Sequence, residues 1–443
     1  MSAPFIGAYS WILLLGRNGL ITNSIKRIFG FTPPDIYGFG GITLVFTLQL
    51  FPLIYLFVTG ALKNMDNSLL EASENMGCTG IKKFFKVVTP LLMPTILAGA
   101  LLVFMRSLAD FGTPMLIGEG YRTFPVLIFS EFVSEVGGDD GFACAIAVIA
   151  IIITTLVFLF QKYLSTRSVF SINSLNPIEP KEAKGIKGII IHLFVYGVIG
   201  LAIMPQAYVI YTSFLKTKYM VFVDGYSLAS YADLFSKSIN SVRNTIVIPL
   251  TALVIIILLA VLIAYITVRR RNSFSNIIDA VSMVPYIVPG TVLGIGLLIC
   301  FNKKPLLLSG GMLIMVMALV IRRLPYTIRS SAAILQQIPV SVEEAALSLG
   351  SSKMKTFFRI TFPMMSSGII SGAIMSWITM ISELSTAIIL YTGRTKTLTV
   401  DIYTEVIRGN YGIAAALSTV LTILTVTSLL IFMKISKRGD ISL

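Results

Sequence analysis

Charged residues are scarce in this sequence, and cysteine and histidine are nearly absent. Only 13% of the 443 residues are Asp, Glu, Lys or Arg, whereas 55% are hydrophobic. A soluble domain has roughly a quarter of its residues charged, so this chain could not cover a soluble surface, and its apolar majority excludes a disordered protein. The three cysteines, Cys78, Cys144 and Cys300, are too far apart for a disulfide framework or a CxxC metal site. Because His192 is the only histidine, histidine-based metal sites and Ser-His-Asp triads are also excluded.

Long stretches without a charged side chain recur along the chain. A membrane-spanning helix needs ~20 mostly apolar residues to cross ~30 Å of hydrocarbon. Ten stretches are candidates, of which the first and the eighth are short: 1–16, 36–62, 87–105, 141–161, 188–215, 244–268, 280–302, 305–321, 360–382 and 409–433. The sequence therefore predicts an all-α integral membrane protein with about ten transmembrane helices. The first stretch has no basic segment before it, so we expect no cleavable signal peptide.

The net charge of +14 indicates how the chain is oriented in the membrane. Lysine and arginine collect in cytoplasmic loops, where anionic headgroups attract them. If the chain end after Met433 is cytoplasmic, the inner loops hold most of the basic residues. This orientation places Lys82, Arg269, Arg322 and Arg323 in cytoplasmic loops.

The chain repeats itself at an offset of 273 residues, which aligns segment 68–77 with segment 341–350. The same offset pairs further residues: Pro52 with Pro325, Phe84 with Phe357, Pro90 with Pro363, Gly99 with Gly372, Asp110 with Glu383, and Thr113 with Thr386. We therefore predict two tandem copies of one membrane unit, a first half at 1–164 and a second half at 188–443, joined by a polar cytoplasmic linker at 165–187. The first copy has four candidate spans and the second has six. Either the start is truncated or this protein lacks the first pair.

The repeated segment is polar and lies between apolar spans. Ser68 stands three residues before Glu71, and Ser341 three residues before Glu344, which is the spacing of a helix capping box. A glycine follows at the same distance in each copy, where a left-handed backbone would end the helix. One interpretation is a helix that only connects two spans. The exact repetition favours the other, a pair of matched cytoplasmic helices that dock to a two-fold symmetric partner.

This segment resembles the cytoplasmic signature of permease subunits of bacterial ABC importers that use a substrate-binding protein. That signature reads Glu-Ala-Ala-x-x-x-Gly, then nine variable residues, then Ile-x-Leu-Pro. The matching residues are Glu344, Ala345, Ala346, Gly350, Ile360 and Pro363 in the second copy and Glu71, Ala72, Gly77 and Pro90 in the first. The chain departs from the signature at Ser73, Thr89 and Phe362. The fusion of two such units in one chain resembles the ferric-iron type of permease, and thiamine permeases are similar.

The resemblance implies a multi-pass protein of the bacterial inner membrane and a set of partners. The signature helices would insert into a dimer of ATP-binding ABC subunits, which makes the seven residues Glu71, Ala72, Gly77, Glu344, Ala345, Ala346 and Gly350 candidate coupling residues. An extracytoplasmic substrate-binding protein and membrane lipid are the other expected partners, with no nucleic acid. Ferric iron is the expected substrate, while thiamine, phosphonate or another small solute remains open. No catalytic residue, cofactor or metal site is expected in this transport subunit.

Two other classes of protein fit the sequence less well. The sequence has no GxxxxGK[ST] phosphate loop, so ATP hydrolysis would need a separate chain. A stand-alone secondary transporter driven by an ion gradient would also have repeats, but parallel copies with a cytoplasmic helix in each fit an ABC permease better. An intramembrane enzyme lacks a nucleophile, base or metal cluster.

Asp110 and Glu383 occupy equivalent positions near the outer end of a span in each half. An acidic group inside a membrane costs ~2.5–3.5 kcal/mol or more, so it faces a cavity or a partner. One interpretation is a polar lining of the substrate pathway. The other is an acid that caps the next helix or pairs with Arg106 or Arg394.

Two further patterns concern helix geometry. Pro285 and Pro289 predict a helix broken early in its span. Gly368 and Gly372 form a small-x3-small pattern that predicts close helix packing.

Overall fold

The computed structural model describes residues 4–63, 65–133, 138–167, 176, 178, 183–218 and 221–435. The chain divides into two compact units, one formed by Gly7–Tyr208 and the other by Met1–Ile6 with Val209–Ser442. Most of the predicted linker 165–187 lies outside the described residues, so the predicted domain boundaries stay a prediction.

The described residues of the unit Gly7–Tyr208 form helices joined by loops, and its first and last helices extend a few residues past these bounds. Its helices are α1 (Pro4–Leu15), α2 (Leu20–Phe29), α3 (Phe39–Lys63), α4 (Asn67–Asn75), α5 (Gly80–Lys83), α6 (Thr89–Ala109), α7 (Gly112–Ile117), α8 (Phe124–Val133), α9 (Asp140–Arg167) and α10 (Gly185–Thr212), and a π-helical turn, Phe84–Val88, joins α5 to α6. α3 packs against α6, and α9 against α6 and α8. A buried cluster that includes Trp11, Val45 and Ile117 holds α1, α3 and α7 together.

The unit Val209–Ser442 begins with a hairpin and continues with eleven helices in its described residues. The elements are β1 (Leu215–Lys218), β2 (Val221–Tyr226), α11 (Ala229–Lys237), α12 (Ile239–Arg269), α13 (Ser273–Ile287), α14 (Gly290–Phe301), α15 (Met312–Gln337), α16 (Val340–Ser348), α17 (Lys353–Thr356), α18 (Phe362–Ile381), α19 (Ala387–Leu390), α20 (Leu398–Ile407) and α21 (Tyr411–Ile435), and a second π-helical turn, Phe357–Thr361, joins α17 to α18. Among the described residues the antiparallel β1–β2 pair forms the only sheet, and the predicted all-α class is otherwise confirmed.

Helices α12, α15 and α18 form the centre of this second unit. Gly372 allows the close approach of α18 to α15, since a Cβ there would lie 2.6 Å from the Cα of Thr327. A Cβ at Gly368 would lie 2.6 Å from the carbonyl oxygen of Ser330. The predicted small-residue packing is therefore confirmed.

Seven helices in the described residues are long and apolar enough to cross a membrane: Phe39–Lys63, Gly80–Ala109, Asp140–Phe160, Gly185–Thr212, Ile239–Arg269, Lys353–Ile381 and Tyr411–Lys434. Helices α13 and α14 pass the same test together, which raises the number to at most eight. The predicted count of ten is not confirmed. Stretch 1–16 yields only the 12-residue α1, and stretch 305–321 ends in α15, whose arginines lower its hydropathy.

Helices α13 and α14 are bent by 110° at a short break, as predicted from Pro289, whereas Pro285 lies inside α13 and does not interrupt it. Pro289 stands just before α14, and the preceding Val288 has the extended backbone that a following proline imposes. The break is closely packed, because a Cβ at Gly290 would lie 2.7 Å from the Cβ of Ser385.

One charge assignment from the sequence is wrong. Arg322 and Arg323 were expected in a cytoplasmic loop, but they lie in the middle of α15, which continues to Gln337. The helix tolerates them there because they are paired with a carboxylate from another part of the chain, described below.

Candidate functional site

Helices α4 and α16 contain the two repeated signatures, and they end in the same way. In each, three successive backbone N–H groups donate hydrogen bonds of 2.8–3.1 Å to carbonyl oxygens of the last helical turn. The donors are Met76, Gly77 and Cys78 after α4, and Leu349, Gly350 and Ser351 after α16. The glycine in this turn has a left-handed backbone in both copies, with φ of +77° at Gly77 and +82° at Gly350. The predicted glycine termination is confirmed, since an L-residue rarely adopts this conformation.

The helix beginnings differ from the prediction. α4 starts at Asn67, and its cap is Asp66, which accepts a hydrogen bond from the Ser68 N–H at 2.9 Å. α16 starts at Val340 after Pro339, with no side-chain cap. The predicted capping boxes are therefore wrong, because Ser68 and Ser341 already lie inside the first turn, past the position from which a hydroxyl can cap it.

Exposure separates the coupling candidates into two groups. The outward-facing ones are Glu71, Ala72, Gly77, Glu344, Ala345 and Gly350, all exposed. The third signature position faces inward in both copies, where Ser73 and Ala346 are 9% and 8% exposed. Ala346 therefore packs against its own unit.

Two apolar side chains that the sequence analysis missed project from these segments. Met76 is 86% exposed and Leu349 is 89% exposed, and they occupy equivalent positions just before the glycines. Ile81 and Met354 are a second equivalent pair, also exposed. The signal in the sequence was an apolar residue directly before the glycine at the same register of both segments.

The π-helical turns Phe84–Val88 and Phe357–Thr361 are equivalent at the 273-residue offset. Each connects the short helix that follows the glycine turn to a long span without a break. A π-helical turn forms hydrogen bonds to the fifth residue along the chain, one further than in an α-helix; such turns are rare and are frequent at functional sites. Each coupling segment, 67–88 in the first copy and 340–361 in the second, therefore contains a glycine turn, and only its part after that turn, α5 or α17 with the π-helical turn, runs into the span as continuous helix.

Glu383 lies in a buried ion cluster with Arg322 and Arg323. The three side chains are 4%, 12% and 13% exposed, and each arginine donates to one carboxylate oxygen. Arg322 also donates to the Thr386 hydroxyl at 2.9 Å. Arg394 was one predicted ion-pair partner of Glu383; within the described residues, its partners are Arg322 and Arg323 instead.

Asp110 and Glu383 also share a backbone contact. Each carboxylate accepts a hydrogen bond from the N–H three residues ahead, Thr113 at 2.9 Å and Thr386 at 3.1 Å. Thr113 lies in the first turn of α7, so Asp110 matches the helix-capping interpretation, whereas Thr386 stands just before α19 and Glu383 holds the turn that leads into it; a role in the substrate pathway stays a prediction. Among the described residues no group of three or more His, Cys, Asp or Glu could hold a metal ion.

Comparison with known proteins gives the family. The family described as "binding-protein-dependent transport system inner membrane component" matches residues 5–169 and again residues 256–439. The chain is 29% identical to the ferric transport system permease protein FbpB of Actinobacillus pleuropneumoniae, over 98% of this chain and 64% of that protein. A putative ferric transport system permease protein, FbpB 1 of Haemophilus influenzae, is also 29% identical, over 89% of this chain and 63% of that protein. The molybdenum transport system permease protein ModB of Haemophilus influenzae is 30% identical over 37% of this chain and 72% of its own length.

The chain belongs to the family of inner-membrane components of binding-protein-dependent transport systems, whose unit it contains twice. Its apolar helices make it a multi-pass protein of the inner membrane. It spans about two thirds of the length of the ferric-type relatives, 64% and 63%.

Proposed function

We propose that this chain forms the membrane pathway of an ABC importer for ferric iron, powered by a separate ATPase. The observation that carries the proposal is the similarity to two ferric transport permeases over nearly the whole chain. The doubled family match supports a duplicated permease. A substrate-binding protein on the outer side would deliver the iron, as the family's description suggests.

The ATPase would dock on α4 and α16 through the coupling residues predicted from the sequence. Glu71, Ala72 and Gly77 in one copy correspond to Glu344, Ala345 and Gly350 in the other, while Ala346 holds its helix against the unit. Met76 and Leu349 support this assignment, because two exposed apolar side chains at matched positions are typical of a surface that a partner covers. From each docking helix, ATPase closure would pass through the glycine turn to α5 or α17, which continue into a span and would transmit it as rigid-body motion.

Asp110 and Glu383 would shape the substrate pathway indirectly. By capping the segments that follow α6 and α18, they would fix the backbone at the outer ends of these helices. Uptake by a double variant, Asp110→Asn with Glu383→Gln, tests this role. Wild-type uptake would contradict it.

The coupling role is tested in vesicles that contain this chain, its ATPase and the binding protein loaded with ferric iron. Glu344→Lys reverses an exposed charge, and Gly350→Pro forces φ from +82° to near −65°. We expect either variant to hydrolyse ATP without importing iron while inserting normally. Asp233→Asn, which removes an exposed ion pair on α11, is the matched control and should transport normally. Normal transport by both signature variants would contradict the coupling role.

A second candidate substrate is molybdenum, because ModB is 30% identical over part of the chain. Elemental analysis of vesicles offered both metals separates the candidates. Accumulation of iron supports the proposal, and accumulation of molybdenum alone would overturn the substrate assignment. Uptake by this chain without any ATPase would instead favour a secondary transporter.

A further inference from the structure

The two coupling segments differ in how they are attached to the rest of their units. In the second copy, Glu343 on α16 accepts a hydrogen bond at 2.9 Å from Nε of Arg269, the last residue of α12. Both side chains are nearly buried, at 12% and 10% exposure. Arg269 also donates at 2.8 Å to the carbonyl oxygen of Ile338, just before α16. One guanidinium therefore holds the coupling helix and the residue that leads into it.

The apolar packing beneath this pair also involves α12. Val261 and Ala264 of α12 lie in one buried cluster with Leu335 and Met365, which belong to α15 and α18. Tyr265 of α12 makes an edge-to-face contact of 5.0 Å between ring centroids with Phe357 in the π-helical turn. α12 thus contacts the coupling segment through the Arg269 guanidinium and the Tyr265 ring, and it also shares a buried apolar cluster with α15 and α18.

The first copy has a different ion pair at this place. The 273-residue offset aligns Glu343 with Leu70, so α4 has no carboxylate there. Its ion pair joins Glu74 on α4 to Lys83 on α5, and the aligned residues of the second copy, Leu347 and Thr356, cannot form it. The first pair stays inside the coupling segment, whereas the second connects the segment to a spanning helix.

We propose that Arg269 and Glu343 are positioning residues that latch the second coupling helix to α12, a contact for which Leu70 gives the first coupling helix no carboxylate. Movement of α16 would be passed to α12 directly, as well as along the chain to α15 and α18. The pair can carry force because separating it would leave two buried charges without compensation. This inference rests on the proposed function, since it assumes that an ATPase moves α16.

The test measures coupling, as iron imported per ATP hydrolysed, in vesicles that contain this chain, its ATPase and the ferric-loaded binding protein. Glu343→Gln keeps the side-chain volume and removes the charge, and we expect coupling to fall about fivefold or more while ATP hydrolysis continues. Glu74→Gln is the matched control in the first copy. Its pair is partly exposed and internal to the segment, so we expect a change of less than about twofold.

A charge exchange distinguishes a latch from general damage to the fold. Glu343→Arg combined with Arg269→Glu should restore at least half of the lost coupling, because the ion pair is rebuilt with its charges reversed. Equal effects of Glu343→Gln and Glu74→Gln, or wild-type coupling in Glu343→Gln, would overturn the inference. If Glu343→Gln fails to insert and the exchanged pair inserts but couples no better than Arg269→Glu alone, the latch is also refuted. Failure of the unaltered chain to bind an ATPase would overturn the proposed function itself.

Discussion

Neutralising Glu383 should destabilise the unit Val209–Ser442 far more than neutralising its counterpart Asp110 destabilises the other unit. Glu383→Gln leaves Arg322 and Arg323 nearly buried without a carboxylate, since all three side chains are at most 13% exposed. Removing one partner of such a group costs about 3–5 kcal/mol, because the remaining charges have lost their hydration without gaining a counter-charge. Asp110→Asn should cost less than about 1 kcal/mol, because asparagine caps a helix as well as aspartate does.

The two tryptophans allow each unit to be followed separately. Trp11 lies in the core of the first unit and Trp377 on α18 of the second. Glu383→Gln is therefore measured in a Trp11→Phe background and Asp110→Asn in a Trp377→Phe background. Unfolding by SDS in detergent micelles, followed by tryptophan fluorescence, gives the free energy of unfolding for each variant and its parent.

A triple variant tests the cause. Changing Glu383, Arg322 and Arg323 together to methionine removes every charge of the cluster. We expect it to be more stable than Glu383→Gln alone, because replacing a whole buried ion group with apolar side chains is often neutral or better. A loss below about 1 kcal/mol for Glu383→Gln, or equal losses at positions 110 and 383, would refute the reasoning.

Three further outcomes are expected. Gly350→Ala should cost about 1–2 kcal/mol in the free energy of unfolding, because φ is +82° while the space around a Cβ is open, and Gly350→Asn should cost less. Met76→Ala with Leu349→Ala should leave the unfolding curve unchanged, since both side chains are more than 85% exposed, yet weaken co-purification with the ATPase about tenfold or more. Gly290→Ala should destabilise the second unit by several times as much as Gly296→Ala, because a Cβ at 290 would overlap Arg322 whereas the space at 296 is open, and the same SDS titration measures both.

The sequence predicted those features that a local backbone rule controls. The glycine turns at 77 and 350 followed from the need for a left-handed residue, and the broken helix followed from Pro289. The repeat located two equivalent segments because its offset is constant over many residues. These rules act within a few residues and leave a direct trace in the sequence.

Features that depend on contacts between distant residues were missed. Arg322 and Glu383 are 61 residues apart, so nothing near Arg322 showed that a carboxylate would neutralise it. For that reason the sequence analysis placed both arginines in a cytoplasmic loop. Arg269 and Glu343 are 74 residues apart and gave no local signal either. The capping boxes failed for a smaller reason, since each helix starts two residues earlier than predicted, which moves the serine out of the capping position.

The arginines of α15 have a consequence for the order in which the chain enters the bilayer during synthesis. Arg322, Arg323 and Arg329 each oppose insertion by about 2.5–3.5 kcal/mol at the centre of a helix, so α15 alone is a poor substrate for the translocon. Its counter-charges are Asp279, made earlier, and Glu383, made only after α18 has emerged from the ribosome. α15 is not among the helices that are apolar enough to cross a membrane by themselves, so we expect it to enter the lipid only together with α18, as a pair.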